Sequence, residues 1–252
     1  MSLRSFVVVV IVAVSACQAP QPLTGNGVAT EQRWPLSPIT RLVVSGPVSV
    51  QVMVGPAFEP SVRVEGDGNV VDSVRRSVDG RTLTLDATNL SPSLPLNVTV
   101  TTTALVSISA ANGAVVTSNA LRGGRLAIEA RAAARVLANG VDGDSVVLDA
   151  SRGASIDAAG VVRLVEANAS DVGALSLSSL KAKVALVTAT ELSTVTVQAT
   201  EALRGSATRS SRLVVTGAPL LRTVNVDESS AVQSPPKTDV RAESPRAGPE
   251  KG

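Results

Sequence analysis

Between residues 105 and 233 the chain restates one pattern at intervals of about twenty residues. "RLAIEARAAARVLANGV" (125–141) is followed by "SVVLDASRGASIDAAGV" (145–161), the same alternation in different letters. Aligning the apolar residue that leads each unit gives Ile108, Ile128, Leu148, Ala167, Val187, Ala207 and Val226, spaced 20, 20, 19, 20, 20 and 19. Two residues earlier stand Val106, Leu126, Val146, Val165, Ala185, Gly205 and Val224. Eight residues later come Val116, Val136, Ile156, Leu175, Val195 and Val215, and thirteen later Leu121, Val141, Val161, Leu180, Thr200 and Leu220. The position after each lead residue is polar: Ser109, Glu129, Asp149, Asn168, Thr188, Thr208 and Asp227. Period-2 alternation of this kind marks strands with one buried face. A unit of this length cannot enclose its own apolar side, but stacked units can, so the repeat predicts a β-solenoid of seven coils.

Composition agrees. Apolar residues make up 44% of the chain but aromatic residues only 1%, so the core is built from Val, Ala, Leu and Ile in thin layers. The corner of each coil is legible in Ala110, Ala130, Ala150, Ala169 and Ala189. A turn follows several of them, at Asn112-Gly113, Arg152-Gly153 or Asp171-Val172-Gly173. Apolar tracks at 0, 8 and 13 do not fit the six-residue period of left-handed β-helices, and parallel crossovers favour the right hand. The fold class expected is all-β, a right-handed parallel β-helix of about 20-residue coils with an N-terminal β-rich cap containing one short helix. Residues 38–104 are read as that cap. "GNVVDSVRRSVDG" puts Val70, Val71, Val74 and Val78 on one helical face, with Asn69 as N-cap.

The N-terminus, "MSLRSFVVVVIVAVSAC", has one basic residue, a short apolar run and small residues before Cys17. It is read as a signal peptide over 1–16, with "VSAC" resembling the lipobox at which a bacterial lipoprotein is cut and its Cys acylated. Cys17 is the single cysteine of the chain, so it forms no internal disulfide and is free for lipidation. Two or more acyl chains anchor stably. Gln18, where Asp would mark inner-membrane retention, implies the outer membrane by the same resemblance. Residues 17–37 then read as lipidated Cys and flexible tether, 105–233 as repeats, and 234–252 as a disordered Pro-rich tail.

The passages "ITRLVVSGPVSVQVMVG" and "VEGDGNVVDSVRRSVDGRTLTL", followed by the repeats, resemble the head GIN domain family of autotransporter adhesins over about residues 38–233. The resemblance implies a right-handed β-helix akin to pectin lyases without their catalytic residues, and a role in adhesion. Family members often carry Gly-Ser-Gly at the turns; here those turns read "ANGA", "RAAA", "SRGA" and "DVGA".

Chemistry is sparse. His and Tyr are absent, which removes Ser-His-Asp catalysis, and no phosphate-cradling loop is present. The formal charge of +2 does not call for a polyanion, and Arg204, Arg209, Arg212 and Arg222 lack the aromatic residues that stack bases, so no nucleic acid is expected. "EGDGN" (65–69) and "VDGDS" (141–145) are read as turns, not calcium loops; no metal and no cofactor are expected. The candidate site is the outward ladder Glu129, Asp149 and Asn168. Glu129 and Asp149 on adjacent coils stand roughly 5 Å apart by strand spacing, near the separation of a retaining glycosidase pair. The leading reading is a non-catalytic lipoprotein head that binds a surface glycan or protein, or acts as a spacer. A glycan-cleaving enzyme using Glu129 and Asp149 and a purely structural envelope protein stay open.

Overall fold

The computed structural model describes residues 21–234. Cys17, the signal segment and the Pro-rich residues 235–252 lie outside the described residues. The described residues are 65% strand with one short helix, and their parallel strands stack as a β-solenoid of about six turns.

The N-terminal third supplies β1 (Leu23–Thr24), β2 (Ala29–Pro35), β3 (Arg41–Ser45), β4 (Ser49–Val54), β5 (Ser61–Asp67), α1 (Gly68–Val71), β6 (Arg75–Asp79), β7 (Thr82–Asp86), β8 (Leu90–Ser91) and β9 (Asn97–Thr102). The repeats supply β10 (Ser107–Ala111), β11 (Val115–Ser118), β12 (Leu121–Arg131), β13 (Arg135–Ser151), β14 (Ser155–Ala169), β15 (Ala174–Ala189) and β16 (Thr194–Ala207). The last coil holds β17 (Arg212–Val215), β18 (Leu221–Val226) and β19 (Ala231–Gln233).

Register follows the repeat through the middle of the stack. Ile108 pairs with Ile128, Ile128 with Leu148, Leu148 with Ala167, and Ala167 with Val187. All five are buried, as are Val116, Val136, Ile156, Leu175 and Val195 of the second track. Each residue therefore rests on its copy one coil away, and the apolar column is continuous because no coil has to close over its own interior.

Strict periodicity fails at two places. Val187 pairs with Gly205, not Ala207, and Gly205 with Val224. Three residues separate Leu177 from Lys181 where their partners Val197 and Gln198 are adjacent, and a one-residue gain follows, so this coil is two residues shorter. The second track accordingly continues at Leu213 rather than Val215, and the polar track at Ser206 and Asn225 rather than Thr208 and Asp227. The other slip lies between Ala138 and Val141, where Gly160 becomes the partner of Val141. A single deletion reverses the facing of a strand: Val162 turns inward and Val161 is left 60% exposed. Leu220, also expected inside, is 86% exposed.

The expected cap is part of the solenoid. β3 pairs in parallel with β10 on one side and β7 on the other, and β4 pairs likewise with β11 and β9. The chain thus lays down the second coil first, wraps outside it to form the end coil, and crosses back to the repeats. The return is pinned where the Thr102 hydroxyl donates to the Ile39 carbonyl at 2.9 Å.

Several local expectations are corrected. The helix is one turn, not the length of "NVVDSVRRSV": Val70, Val71 and Val74 bury, but the chain straightens at Arg75 to pair antiparallel with β7 through a turn at Gly80 (φ 56°), leaving Val78 on an exposed edge strand. A ladder partner outweighs the weak helical preference of valines. Asn69 is no N-cap; its side-chain amide donates to the Thr24 carbonyl and its oxygen accepts from the Asn26 N–H. The segment read as tether is also largely structured. β1 pairs with β8, and β2 lies antiparallel on β5 with Trp34 opposite Val62. Likewise "VDGDS" lies within β13, and "EGDGN" runs from β5 into α1.

The corners carry the strain. At the same point of successive coils, two neighbouring residues take positive φ: Asn112-Gly113, Ala132-Ala133, Arg152-Gly153, Asp171-Val172, Glu191-Leu192 and Arg209-Ser210. Positive φ at both central residues of a tight turn is the type I′ pattern, which favours Asn and Gly. The second turn residue of each coil donates its N–H to the first turn residue of the next, as in Gly113 to Ala132, Ala133 to Arg152 and Val172 to Glu191. This inter-coil ladder holds Val172 and Leu192 in a conformation that costs roughly 1–2 kcal/mol per non-glycine residue. Inside each corner sits a small buried residue, Ala114, Ala134, Ala154, Gly173, Ser193 or Ser211. The two serines donate to Ala169 and Ala189 of the preceding coil, at 3.1 and 2.8 Å.

Candidate functional site: an outward polar ladder

The position after the lead residue faces solvent on every coil, and the parallel register sets Ser109, Glu129, Asp149, Asn168 and Thr188 in one column. Their inward neighbours Ile128, Leu148 and Ala167 are locked in the core, so the ladder is mounted on a rigid face. The Ser109 hydroxyl donates to Glu129 at 3.1 Å, Arg131 forms an ion pair with Glu129, and the Asn168 amide donates to Asp149 Oδ1 at 2.9 Å. The column borders a shallow groove of about 330 Å³ whose floor is Ala150 and Ala169 and whose rim includes Arg131, Ser151, Ser170, Thr188 and Thr190. The structure brings Glu129, Asp149 and Asn168 into one groove but commits both carboxylates to neighbours. The arrangement offers a run of donors and acceptors to an extended polar ligand.

A second groove escaped sequence reasoning. About 410 Å³ in volume, it lies where β9, β4 and β11 adjoin and is lined by Ser49, Gln51, Asn97, Thr99 and Thr117, with Glu65 from β5. Each strand alternates polar-out on its own, at Asn97 and Thr99, Ser49 and Gln51, and Thr117. Their adjacency was hidden because β4 pairs with strands distant on either side in sequence.

The strongest electrostatic feature is structural. Asp67 is fully buried and its carboxylate accepts backbone N–H groups from Gly27 at 2.6 Å, Ser93 at 2.8 Å and Leu94 at 2.9 Å. The Leu94 N–H above all, joined by those of Gly27 and Ser93, holds its pKa below the ordinary carboxylate value against the upward pull of burial. With both oxygens bound to N–H groups, Asp67 is occupied in fastening the entering chain to β5. Asp227 does similar work at the other end. The Arg209 N–H foremost, then Ser230 and Ser229, lower its pKa. Asp86 is lowered too: burial pushes it up, but hydrogen bonds from Thr88 and the Arg75 guanidinium outweigh that. Among the described residues no three His, Cys, Asp or Glu side chains cluster as a metal site. No helix there is long and apolar enough to cross a membrane, which leaves β-barrels unaddressed.

Residues 39–219 match the family described as putative auto-transporter adhesin, head GIN domain. The chain belongs to that family. No curated protein matches it. Among solved structures, a putative adhesin from Bacteroides fragilis superposes with a TM-score of 0.72 at 13% identity, covering 84% of this chain and 99% of that one. A putative lipid binding protein from Parabacteroides distasonis gives 0.68 at 15% identity, covering 84% and 98%. A putative adhesin from Parabacteroides merdae gives 0.62 at 13% identity, covering 85% and 99%. At these identities the likeness concerns the fold. The head GIN family and these solved relatives carry the names of adhesins and a lipid binder, not of enzymes.

Proposed function

We propose that this head GIN protein is a lipid-anchored envelope protein, acylated at Cys17 and held in the outer membrane, whose solenoid binds an extended surface ligand without turning it over. The observation that carries the reading is the groove along Glu129, Arg131, Asp149, Asn168 and Thr188, mounted on a rigid sheet face. A repeating, polyhydroxylated chain such as a surface glycan matches it, because coil spacing of about 4.8 Å presents a fresh polar group at each step. Membership in an adhesin family supports a cell-surface or envelope location. The non-catalytic part of the reading is supported by the carboxylates themselves. Glu129 is engaged through both oxygens by Arg131 and Ser109, and Asp149 accepts from Asn168 through Oδ1, so the two carboxylates are tied to neighbouring side chains rather than paired with each other across a cleft.

The test is a glycan array probed with the full chain, run beside turnover assays on the same polysaccharides. Binding without turnover, weakened by Asp149→Ala and Asn168→Ala, is the expected outcome. Turnover abolished by Glu129→Gln or Asp149→Asn would replace this reading with a glycan-cleaving enzyme. Silence in both assays would leave a spacer.

A further inference from the structure

We propose that the N-terminal end of the solenoid seats on the bilayer that holds the anchor, with Trp34 and Arg76 at the boundary between headgroups and acyl chains. The proposal rests on Cys17 being the lipidated residue and adds an orientation and a contact surface to that reading.

The first argument is reach. β1 begins at Leu23 and is fastened to the end coil by the Leu23 N–H donating to the Asn89 carbonyl at 2.8 Å. Six residue steps separate Cys17 from Leu23, which span at most about 20 Å when fully extended. The chain enters at the same end of the stack that β2 and β6 close, since β2 is the outermost strand beyond β5 and β9, and β6 the outermost beyond β7. This end is therefore held near the lipid surface.

The second argument is what that end displays. Arg76 lies over the Trp34 ring, 3.5 Å from its centroid. The two residues flank a largely apolar cleft of about 150 Å³ completed by Pro35, Leu36, Val62, Ser77, Val78 and Leu83. Val78 is 47% exposed at its rim. A Trp ring prefers the interfacial zone, and an Arg stem lies along apolar surface while its guanidinium reaches a phosphate oxygen. Of the acids at this end, Glu31 and Asp86 are ion-paired to Arg63 and Arg75; among the described residues Asp79, exposed beside Val78, has no ion pair and Arg76 has no carboxylate partner. So small a patch would hold nothing from dilute solution. On a short leash, effective concentration makes a weak contact persistent. Seated this way, the rod stands off the membrane with the polar ladder on its flank and its C-terminal end outermost.

Trp34 is the one tryptophan of the chain and sits in the proposed contact, so it reports directly. The full-length lipidated protein is reconstituted into vesicles of phosphatidylcholine and phosphatidylglycerol, with and without brominated phosphatidylcholine, and checked for flotation. Expected is quenching of Trp34 by the brominated lipid, relieved by Val78→Asp, while flotation and the melting transition are kept. Flotation without quenching, or quenching that Val78→Asp leaves unchanged, overturns the docking and spares the anchor. A full-length chain that floats no better than Cys17→Ser overturns the anchor, and the docking with it.

Discussion

The two ends of this solenoid meet the same problem in different ways. At the N-terminal end the chain covers the terminal coil with β2, β5, β6 and α1, buries Val70 and Val71 completely, and draws the entering strand in with the buried Asp67 carboxylate. At the C-terminal end little is covered among the described residues: β18 is exposed along most of its length, and Leu220 and Leu221 are 86% and 69% exposed. Yet both ends satisfy orphaned backbone donors with an aspartate. In the middle, corner N–H groups donate to the next coil's carbonyls. At the last coil no such turn follows, and the Arg209, Ser210 and Ser211 N–H groups donate instead to Asp227, Ser229 and Ser230 at 2.7, 2.8 and 3.1 Å. Closing a solenoid therefore makes two separable demands, covering apolar surface and pairing backbone groups, and an aspartate serves the second at both ends.

That contrast can be broken most forcefully in the middle, where each side chain is shared by two neighbouring coils. Leu148→Asp or Ile156→Asp should abolish folding, and Leu148→Ala should cost about 2–5 kcal/mol in urea denaturation. Asp149→Ser, one residue from the core, should stay within about 0.5 kcal/mol. Equal damage at neighbouring positions would dissolve the distinction between core and ladder.

The ends come next. Asp67 and Asp227 have folded pKa values below the unfolded one, so their contribution to stability is present above about pH 3.9 and is lost as the pH falls through the depressed values. Hydrogen exchange should therefore show the amides of Gly27, Leu94 and Arg209 losing protection in acid before those of the middle coils. Asp67→Asn, which keeps one acceptor oxygen, should remove that acid step at the N-terminal end only. Simultaneous loss across the stack would mean that the ends are no weaker than the centre.

Smaller effects sharpen the picture. Val172→Gly should raise stability by about 1 kcal/mol, because it relieves a β-branched residue at φ 63°. Leu220→Ser and Leu221→Ser should shift it by less than about 0.5 kcal/mol. A cost of several kcal/mol there would reveal that the open end is covered in solution.

The legible part of the fold was the part written in repeats. Ile108, Ile128, Leu148, Ala167 and Val187 stack as their spacing implies because equal-length coils need no local information beyond alternation. Legibility failed where coil length changed. The deletions before Gly160 and between Val197 and Gln198 carry no distinctive residue type, and a one-residue slip is enough to put Val161 outside. The N-terminal coils were also hidden, since β3 lies between β7 and β10 in space but precedes both in sequence. The ladder Glu129, Asp149 and Asn168 was readable from alternation, whereas the second groove and the Asp67 clamp join segments up to 68 residues apart, as between Gly25 and Ser93.

The stack itself is most directly tested by cross-linking in a Cys17→Ser background. A disulfide needs Cα atoms about 4.4–6.8 Å apart, which adjacent coils provide only for true partners. Thr188→Cys with Ser206→Cys should oxidise readily, as should Glu129→Cys with Asp149→Cys, since both pairs are in register. Thr188→Cys with Thr208→Cys, the pair that an unbroken twenty-residue period would select, should stay reduced. The reverse pattern, or bridging in none of the three, would contradict the stacked coils from which the ladder and its proposed ligand are argued.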